Sequence, residues 1–404
     1  MAARSLEQGL RRNPPLLCAF RALQLSLFPM AVITLFMKHE VGLSMTEIMG
    51  LQAIFGFFTA VFEFPSGYLA DRVGYRRAML ASSGVAIAGW IAYAAADGFW
   101  TIAAAEVLLA LALSLVSGTD AALLYESLLE TGREDSFGTW YGRFQFFGQA
   151  AEGSAALLAG VLYLVWTRLP FLVQIGVWVV AAGVAFALTE PARHRPRVTD
   201  PWARVGRIVS YAAVRMPRLR VVIALTVALG TGTFIAVWIV ALYAEDAGVP
   251  VAWLGPIWAV ANYSVALGAL ASARLSRWMG LLPLLLLSSA LIGLGYAGMG
   301  LTYAWWGFAF YFCLCVARGL FTPALGHEEQ RVIPSSDRAS LLSLRALIFR
   351  GLFVAIGPAV GLAIDHHGQH PALLTSGAVM VAVSLAGTLW LARTPVPEGV
   401  PEQV

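Results

Sequence analysis

The chain has 404 residues, of which 59% are hydrophobic and 12% are charged, and its formal net charge at pH 7 is +4. Its mean hydropathy of +0.74 is more than a soluble domain needs for its core, so the composition excludes an ordinary soluble protein and indicates a membrane protein. The three cysteines fall within apolar stretches and indicate neither a disulfide framework nor a metal site.

Apolar stretches long enough to span a bilayer, which takes about 20 residues, recur along the whole chain. Six are predicted near residues 16–37, 47–69, 78–96, 100–124, 139–164 and 170–189. Six more are predicted near 220–243, 252–274, 281–301, 304–323, 341–364 and 371–392. The sequence thus predicts an all-α membrane protein with twelve transmembrane helices. Its parts are an N-terminal six-helix bundle (1–189), a linker rich in Arg and Pro (190–219) and a C-terminal six-helix bundle (220–404).

The positions of the cations predict the orientation of these spans. Arginines gather in the N-terminal segment, in the break after the second span and in the linker, whereas the breaks on the other side hold only Lys38 and Arg168. Because Lys and Arg are retained on the cytoplasmic side, both termini are predicted to be cytoplasmic, in a multi-pass protein of the cell inner membrane. This asymmetry explains the net positive charge without nucleic-acid binding.

The break after the second span, "GYLADRVGYRR" (67–77), carries one acid and three arginines. It resembles the G-x-L-x-D-R-x-G-R-R loop of the major facilitator superfamily, with matches at Gly67, Leu69, Asp71, Arg72, Gly74 and Arg76. Tyr75 stands where a basic residue is common, and Arg77 restores a nearby cation. The resemblance implies two six-helix bundles that move by alternating access around a central site.

This charged turn is predicted to act as a gate on the cytoplasmic side, with Gly67, Asp71, Arg72, Gly74, Arg76 and Arg77 as the gating residues. The alternative is that its arginines only fix the orientation of the helices. That alternative accounts for the cations but not for Asp71 or the glycines.

The two halves also show weak similarity to each other. Residues around spans 4 and 5 can be laid without a gap over those around spans 10 and 11, which places Glu126 over His327 and Gly160 over Gly361. Such similarity is expected of two bundles related by an axis along the membrane normal.

The fifth span carries a polar stripe of Gln145, Gln149 and Glu152, which recur at i, i+4 and i+7 and so share one helix face. A polar stripe at membrane depth is expected to line an aqueous cavity and to contact the solute. Burial disfavours the charged form of a carboxyl, so Glu152 is predicted to bind and release protons. The alternative is a structural carboxyl hydrogen-bonded between helices.

Other ionisable residues lie inside predicted spans, where each is costly and therefore needs a partner, a cavity or a function. Glu63 and Asp120 are predicted to take part in proton coupling. In the resembled family, helix 2 faces helix 11 and helices 1, 4, 7 and 10 line the cavity. This arrangement implies a gating pair of Glu63 with Arg350, and gating roles for Arg21 and Arg318. The alternative is that each is a structural pair or a side chain that reaches the interface.

Further polar and aromatic residues are candidates for the solute cavity: Gln24, Trp238, Trp258, Asn262 and Tyr311. The segment "DHHGQH" (365–370) gathers three histidines but is interpreted as a solvated loop, and no metal is predicted. The sequence holds no phosphate-binding glycine loop and no nucleophile motif in a credible context, so no cofactor and no enzymatic activity are predicted.

The sequence predicts a secondary active transporter, driven by an ion gradient, that exports an amphipathic or cationic compound in exchange for protons. Proton-coupled uptake of a metabolite or metal chelate is the alternative, and a non-transporting receptor on the same scaffold is an alternative of another class. Proton-coupled drug antiporters of the family usually carry an Arg in the outer half of helix 4, where this chain has Glu106. The expected partners are a small solute, protons and membrane lipids, with no nucleic acid, and the protein is expected to be a monomer.

Overall fold

The computed structural model describes residues 2–192, 217–332 and 338–395, and all regular elements in these ranges are helices. The first half contains α1 (Ala2–Leu25), α2 (Ile33–Leu35), α3 (Met45–Val73), α4 (Tyr75–Ala94), α5 (Phe99–Val116), α6 (Thr119–Glu130), α7 (Phe137–Val165) and α8 (Leu169–Ala187). The second half contains α9 (Pro217–Asp246), α10 (Leu254–Met279), α11 (Leu281–Leu301), α12 (Tyr311–Val332), α13 (Arg338–His367) and α14 (Gln369–Arg393).

Ten stretches of the described helices are long and apolar enough to cross a membrane. They lie in α3, in α5 with α6, and in each of the helices from α7 to α14. α1 and α4 occupy the places of the remaining two predicted spans. The predicted all-α membrane fold is confirmed.

The helices form two compact units. One contains Met1–Leu43, Gly50–Pro196 and Val251–Ala259, and the other contains Ser44–Met49, Arg197–Pro250 and Val260–Val404. The first turn of α3 therefore belongs with the second half of the chain, and the first turn of α10 belongs with the first half. Most of the predicted linker, from 193 to 216, lies outside the described residues.

Small residues bring the helices of the first unit together. α4 packs against α5 and α8, and α1 packs against α6, α7 and α8. On α4, Ser82 is fully buried and its hydroxyl donates to the carbonyl of Ala112 on α5, at 2.7 Å. Small side chains let helix backbones approach closely, which is how helices associate where lipid provides little hydrophobic driving force.

The first predicted span is not one continuous helix. α1 ends at Leu25, and residues 26–32 form turns before the short α2 and a π-helical turn over Phe36–Glu40. Pro29 cannot donate the helical hydrogen bond to the carbonyl of Leu25, where α1 ends, which favours a break at this point. Because an unpaired backbone N–H is costly in a membrane, it matters that the N–H of Phe28 donates to the side-chain carbonyl of buried Gln174, at 3.1 Å.

The fourth predicted span is also interrupted, although its pattern predicts one helix. α5 ends at Val116, and Gly118 adopts a left-handed conformation with φ of +79° before α6 begins at Thr119. Glycine adopts this conformation without the steric cost that a side chain would add. The break divides the span into two helices and places Asp120 in the first turn of the second.

In the second unit, α11 packs against α12 and α14, and α9 packs against α12, α13 and α14. Buried hydroxyls tie these helices together. The Tyr296 hydroxyl donates to the carbonyl of Gly232 at 2.5 Å, and the hydroxyls of Ser289 and Ser384 are hydrogen-bonded to each other.

Gly160 and Gly361, the pair that the half-to-half alignment superimposes, make equivalent close contacts. In the first unit a Cβ on Gly160 would lie 2.4 Å from the carbonyl oxygen of Val251, just before α10. In the second unit a Cβ on Gly361 would lie 2.6 Å from the carbonyl oxygen of Met45, at the start of α3. In each unit, the absence of a side chain on this glycine thus allows the first turn of a helix from the other half of the chain to pack closely.

Candidate functional site

A polar cluster in the first unit joins α1 to α6. Arg21 on α1 lies 3.7 Å from Asp120 on α6, measured from Nη1 to Oδ2, and the same Nη1 donates to Gln24 Oε1 at 2.9 Å. Asp120 and Gln24 are each 5% exposed, whereas 23% of the Arg21 side chain is exposed. The cluster therefore presents a cation to solvent and keeps its acid buried.

The helix break at Gly118 explains why Asp120 can lie there. Asp120 is in the first turn of α6, and its carboxylate accepts the N–H of Ala121 at 2.7 Å. An acid is favoured at this position because the first N–H groups of a helix carry partial positive charge. The guanidinium of Arg21 also lies 5.2 Å from the ring centroid of Phe144 on α7, which holds it between two helices.

The guanidinium of Arg21 keeps unused hydrogen-bonding capacity. Its Nε is buried and has no hydrogen-bond partner among the described residues. The 3.7 Å separation from Asp120 is too long for a hydrogen bond, so the pair is held mainly by charge.

The predicted stripe on α7 is placed as follows. Gln145 and Gln149 are exposed, Glu152 is half-buried, and the neighbouring Phe144 and Gly148 are buried. The two glutamines are thus accessible within the unit. Glu152 has a less enclosed position than Asp120.

A cavity of about 800 Å³ lies beside α1 and α7. Its walls are apolar and aromatic apart from one guanidinium, and the described residues that line it are Pro15, Cys18, Ala19, Ala22, Trp140, Gly142, Arg143, Phe146 and Phe147. The guanidinium of Arg143 lies 4.9 Å from the ring centroid of Trp140. Gln145, Gln149 and Glu152 are absent from these lining residues.

The charged turn is held by two acids from elsewhere in its own unit, Glu126 on α6 and Glu190 just after α8. Gly74, with φ of +116°, separates α3 from α4. The carboxylate of Glu190 accepts the N–H groups of Tyr75 and Arg76, at 2.9 and 2.8 Å, and so caps α4. The Tyr75 hydroxyl donates to Glu126 at 3.0 Å, which gives a role to the residue that departs from the family pattern.

The remaining gating residues of this turn are placed only in part. The side chain of Arg76 donates to the carbonyl of Phe186 at 2.7 Å, and Arg72 and Arg77 are exposed. The structure describes Gly67 and Asp71 as backbone of α3 only, so the predicted role of the Asp71 side chain lies outside the described residues.

The other predicted site residues are distributed over both units. Glu63, Arg318 and Arg350 are half-buried, and Glu63 lies in the first unit whereas the two arginines lie in the second. Trp238 and Tyr311 are 5% and 3% exposed. Asn262 and Trp258 are half-buried, and Trp258 belongs with the first unit.

Two buried acids on α12 were not identified from the sequence. Glu328 receives a hydrogen bond from Arg218 at 2.6 Å, and Glu329 receives one from Arg345 at 2.6 Å. Glu329 is fully buried, and its Oε1 has no hydrogen-bond partner among the described residues. The segment "HEEQR" has the pattern of a polar end of a span, which gives no sign of ion pairs. The two pairs become apparent only in the structure, which places α9 and α13 beside these acids.

The histidine-rich segment contributes an acid to helix packing. Asp365, at the end of α13, accepts the N–H groups of Met45 and Thr46 at 2.9 and 2.7 Å, and the Thr46 hydroxyl at 2.6 Å. All of these residues belong to the second unit. Asp365 therefore caps the first turn of α3, as an acid does at many helix N-termini. No cluster of three metal-ligating side chains occurs in the parts of the chain that the structure describes.

The chain matches the Major Facilitator Superfamily over residues 16–358. A solved structure of a mutant of the nucleoside transporter NupG aligns with a TM-score of 0.80 at 12% identity, covering 95% of this chain and 99% of that chain. The peptide transporter POT in complex with sulfate aligns with a TM-score of 0.75 at 16% identity, covering 95% of each chain. A POT family transporter in complex with 5-aminolevulinic acid gives 0.70 at 12% identity, with 96% and 97% covered. No curated protein sequence matches the chain.

The long apolar helices and the family match together define a multi-pass membrane transporter and not an enzyme. The family match covers most of the sequence, and the chain belongs to the Major Facilitator Superfamily. The membership predicted from the charged turn is confirmed. At these identities the solved structures show the fold alone.

Proposed function

We propose that this protein is a proton-coupled secondary transporter whose solute site includes Arg21, Gln24 and Asp120. The observation that carries the proposal is the loose Arg21–Asp120 pair at the break between α5 and α6. Interrupted helices at membrane depth are the usual places where transporters bind charged groups of their solutes. A guanidinium with an unused N–H and a buried carboxylate can together bind a polar solute group.

The finer proposal is proton-driven export of an amphipathic or cationic compound. The aromatic walls of the cavity beside α1 and α7 support an amphipathic solute, because aromatic faces bind both apolar and cationic groups. Asp120, Glu152 and Glu63 are the proposed coupling carboxyls, each of which would exchange a proton for solute. Both termini are proposed to be cytoplasmic, the membrane to be the inner membrane and the protein to be a monomer.

The test is solute movement in proteoliposomes of known protein orientation under an imposed pH gradient. A panel of cationic, zwitterionic, anionic and neutral solutes is supplied inside or outside the vesicles. Proton-coupled export predicts that solute moves uphill in the direction opposite to the downhill flow of protons. A protonophore is expected to abolish this movement. Uphill movement in the same direction as protons would instead identify uptake, and movement that ignores the pH gradient for every solute would reject proton coupling.

A further inference from the structure

A second buried acid in the first unit has contacts unlike those of Asp120. Glu106 on α5 is 4% exposed, and its Oε1 accepts two hydrogen bonds. One comes from the side-chain amide of Gln52 on α3 at 2.9 Å, and the other from the hydroxyl of Tyr93 on α4. Three helices therefore meet at one carboxyl oxygen.

The Glu106 carboxyl is held by neutral donors. Among the described residues neither Arg nor Lys forms an ion pair with Glu106, and both of its donors are uncharged. A buried carboxylate without a cation is costly, even when neutral groups donate to it. A proton on the second carboxyl oxygen would remove the charge and leave both donors in place.

Two charged groups at the ends of the neighbouring helices have other partners. Arg168, at the start of α8, donates to the carbonyls of Ala94 and Ala96. Asp97, in the turn between α4 and α5, is exposed and accepts the Thr101 hydroxyl at 2.8 Å.

Two more acids on adjoining helices are similarly engaged. Glu47, in the first turn of α3, is bound to the backbone N–H and hydroxyl of Ser44, each at 2.8 Å. Asp120 on α6 is paired with Arg21. The titratable group that faces Glu106 directly is thus Tyr93, in an environment that otherwise offers only neutral groups.

Aromatic rings enclose the cluster. The fully buried ring of Tyr93 stacks on Phe171 of α8, with centroids 5.6 Å apart and planes 8° apart. Phe36 contacts Phe171 at 4.5 Å between centroids, and Trp90 contacts Tyr93 at 5.5 Å. These rings exclude bulk water from the Glu106 carboxyl.

We propose that Glu106, with Tyr93 and Gln52, forms a proton-binding site that is separate from the solute cluster of Arg21 and Asp120. Binding adds a proton to the Glu106 carboxylate, forms one O–H bond and removes one negative charge. The bond from Gln52 changes from charge-assisted to neutral and weakens, so that the hold of α5 on α3 depends on the proton. Gln52 and Glu106 both belong to the first unit, so the proton acts on helix packing within that unit.

Proton binding at Glu106 needs no assumption about transport, whereas its use in coupling depends on the proposed function. The first measurement is infrared difference spectroscopy of the purified protein during a pH titration, which detects the C=O stretch of a protonated carboxyl. Glu106→Gln is expected to remove one such band. Glu47→Gln, which removes a carboxyl outside the cluster, is expected to leave that band unchanged.

Tyr93→Phe provides a variant that retains the carboxyl. Loss of the Tyr93 hydrogen bond is expected to change both the frequency of the band and the pH at which it titrates. If Glu106→Gln does not fold, Tyr93→Phe still tests whether the Glu106 carboxyl binds a proton. A wild-type spectrum in which Glu106→Gln or Tyr93→Phe changes no carboxyl band would overturn the proposal.

The second measurement compares uphill accumulation with solute counterflow in proteoliposomes. Counterflow exchanges solute for solute and requires no net proton movement, so Glu106→Gln is expected to retain counterflow and to lose accumulation. Retained proton-driven accumulation in this variant would overturn the coupling role. If the wild-type protein shows the infrared band but no proton-driven transport, the proton site stands and the proposed function fails.

Discussion

Arg21 and Asp120 show how far the role of a single charged residue can be predicted from the sequence of this chain. The cost of a charge at membrane depth predicted a role for each residue, gating for Arg21 and proton coupling for Asp120, and the structure brings the two side chains together. The same reasoning missed the Glu106 cluster, because Gln52 and Tyr93 are unremarkable until three helices place them on one carboxyl. Neutral hydrogen-bond donors produce no charge pattern in a sequence, so the cluster could not be predicted from one.

The Arg21–Asp120 pair makes a prediction about stability. Arg21→Gln and Asp120→Asn each leave one charge without its partner, and each is expected to lower the free energy of unfolding by about 1–3 kcal/mol. The double variant removes both charges and is expected to recover much of that loss. The measurement is unfolding of the purified protein in detergent.

Arg11→Gln is the matched control on the same helix. Arg11 pairs with Glu7, and both side chains are about half exposed, at 54% and 51%. Loss of that pair is expected to cost less than about 1 kcal/mol. A double variant at positions 21 and 120 whose loss of stability equals the sum of the two single losses would show that the two charges do not stabilise each other.

At the scale of helices, the number and positions of the spans follow from apolar length, whereas the breaks within them do not. Pro29 and Gly118 each occur in an otherwise apolar run, and many spans contain such residues without interruption. Whether a helix breaks depends on partners elsewhere in the fold, such as Gln174 for the N–H of Phe28. Those partners lie more than 100 residues away and leave no local signal.

Gly361 allows a test of helix packing in the second unit. A Cβ at this position would lie 2.6 Å from a backbone oxygen of Met45, which cannot move without displacing α3. Gly361→Ala is therefore expected to destabilise the protein by about 1–3 kcal/mol through overpacking. Gly351→Ala is the control on the same helix, because nothing lies within 4 Å of a Cβ there. Equal thermal stability of the two variants would contradict this account of the contact.

At the scale of the whole molecule, composition and the charged turn were sufficient to predict a twelve-helix transporter of the Major Facilitator Superfamily. Solute identity and direction of transport depend on a few side chains and on movement between conformations, which neither composition nor periodicity encodes. Orientation rests on the distribution of arginines and stays a prediction.

Orientation can be measured with single cysteines in a variant that lacks Cys18, Cys313 and Cys315. Arg77 and His367 are both exposed. The predicted orientation places Arg77, just before the third span, on the cytoplasmic side and His367, just after the eleventh span, on the outer side. In intact cells a membrane-impermeant thiol reagent is expected to label His367→Cys and not Arg77→Cys. The reverse labelling would place the charged turn on the outer side.

The most direct test of the central claim is solute-dependent proton flux in proteoliposomes, measured with a pH-sensitive dye enclosed in the vesicles. Proton coupling predicts that adding a transported solute changes the internal pH of vesicles with the wild-type protein. Vesicles with Glu106→Gln are expected to show no such change on the same addition, although this variant still catalyses counterflow. Transport of the solute by the wild-type protein with no accompanying proton movement would contradict the account.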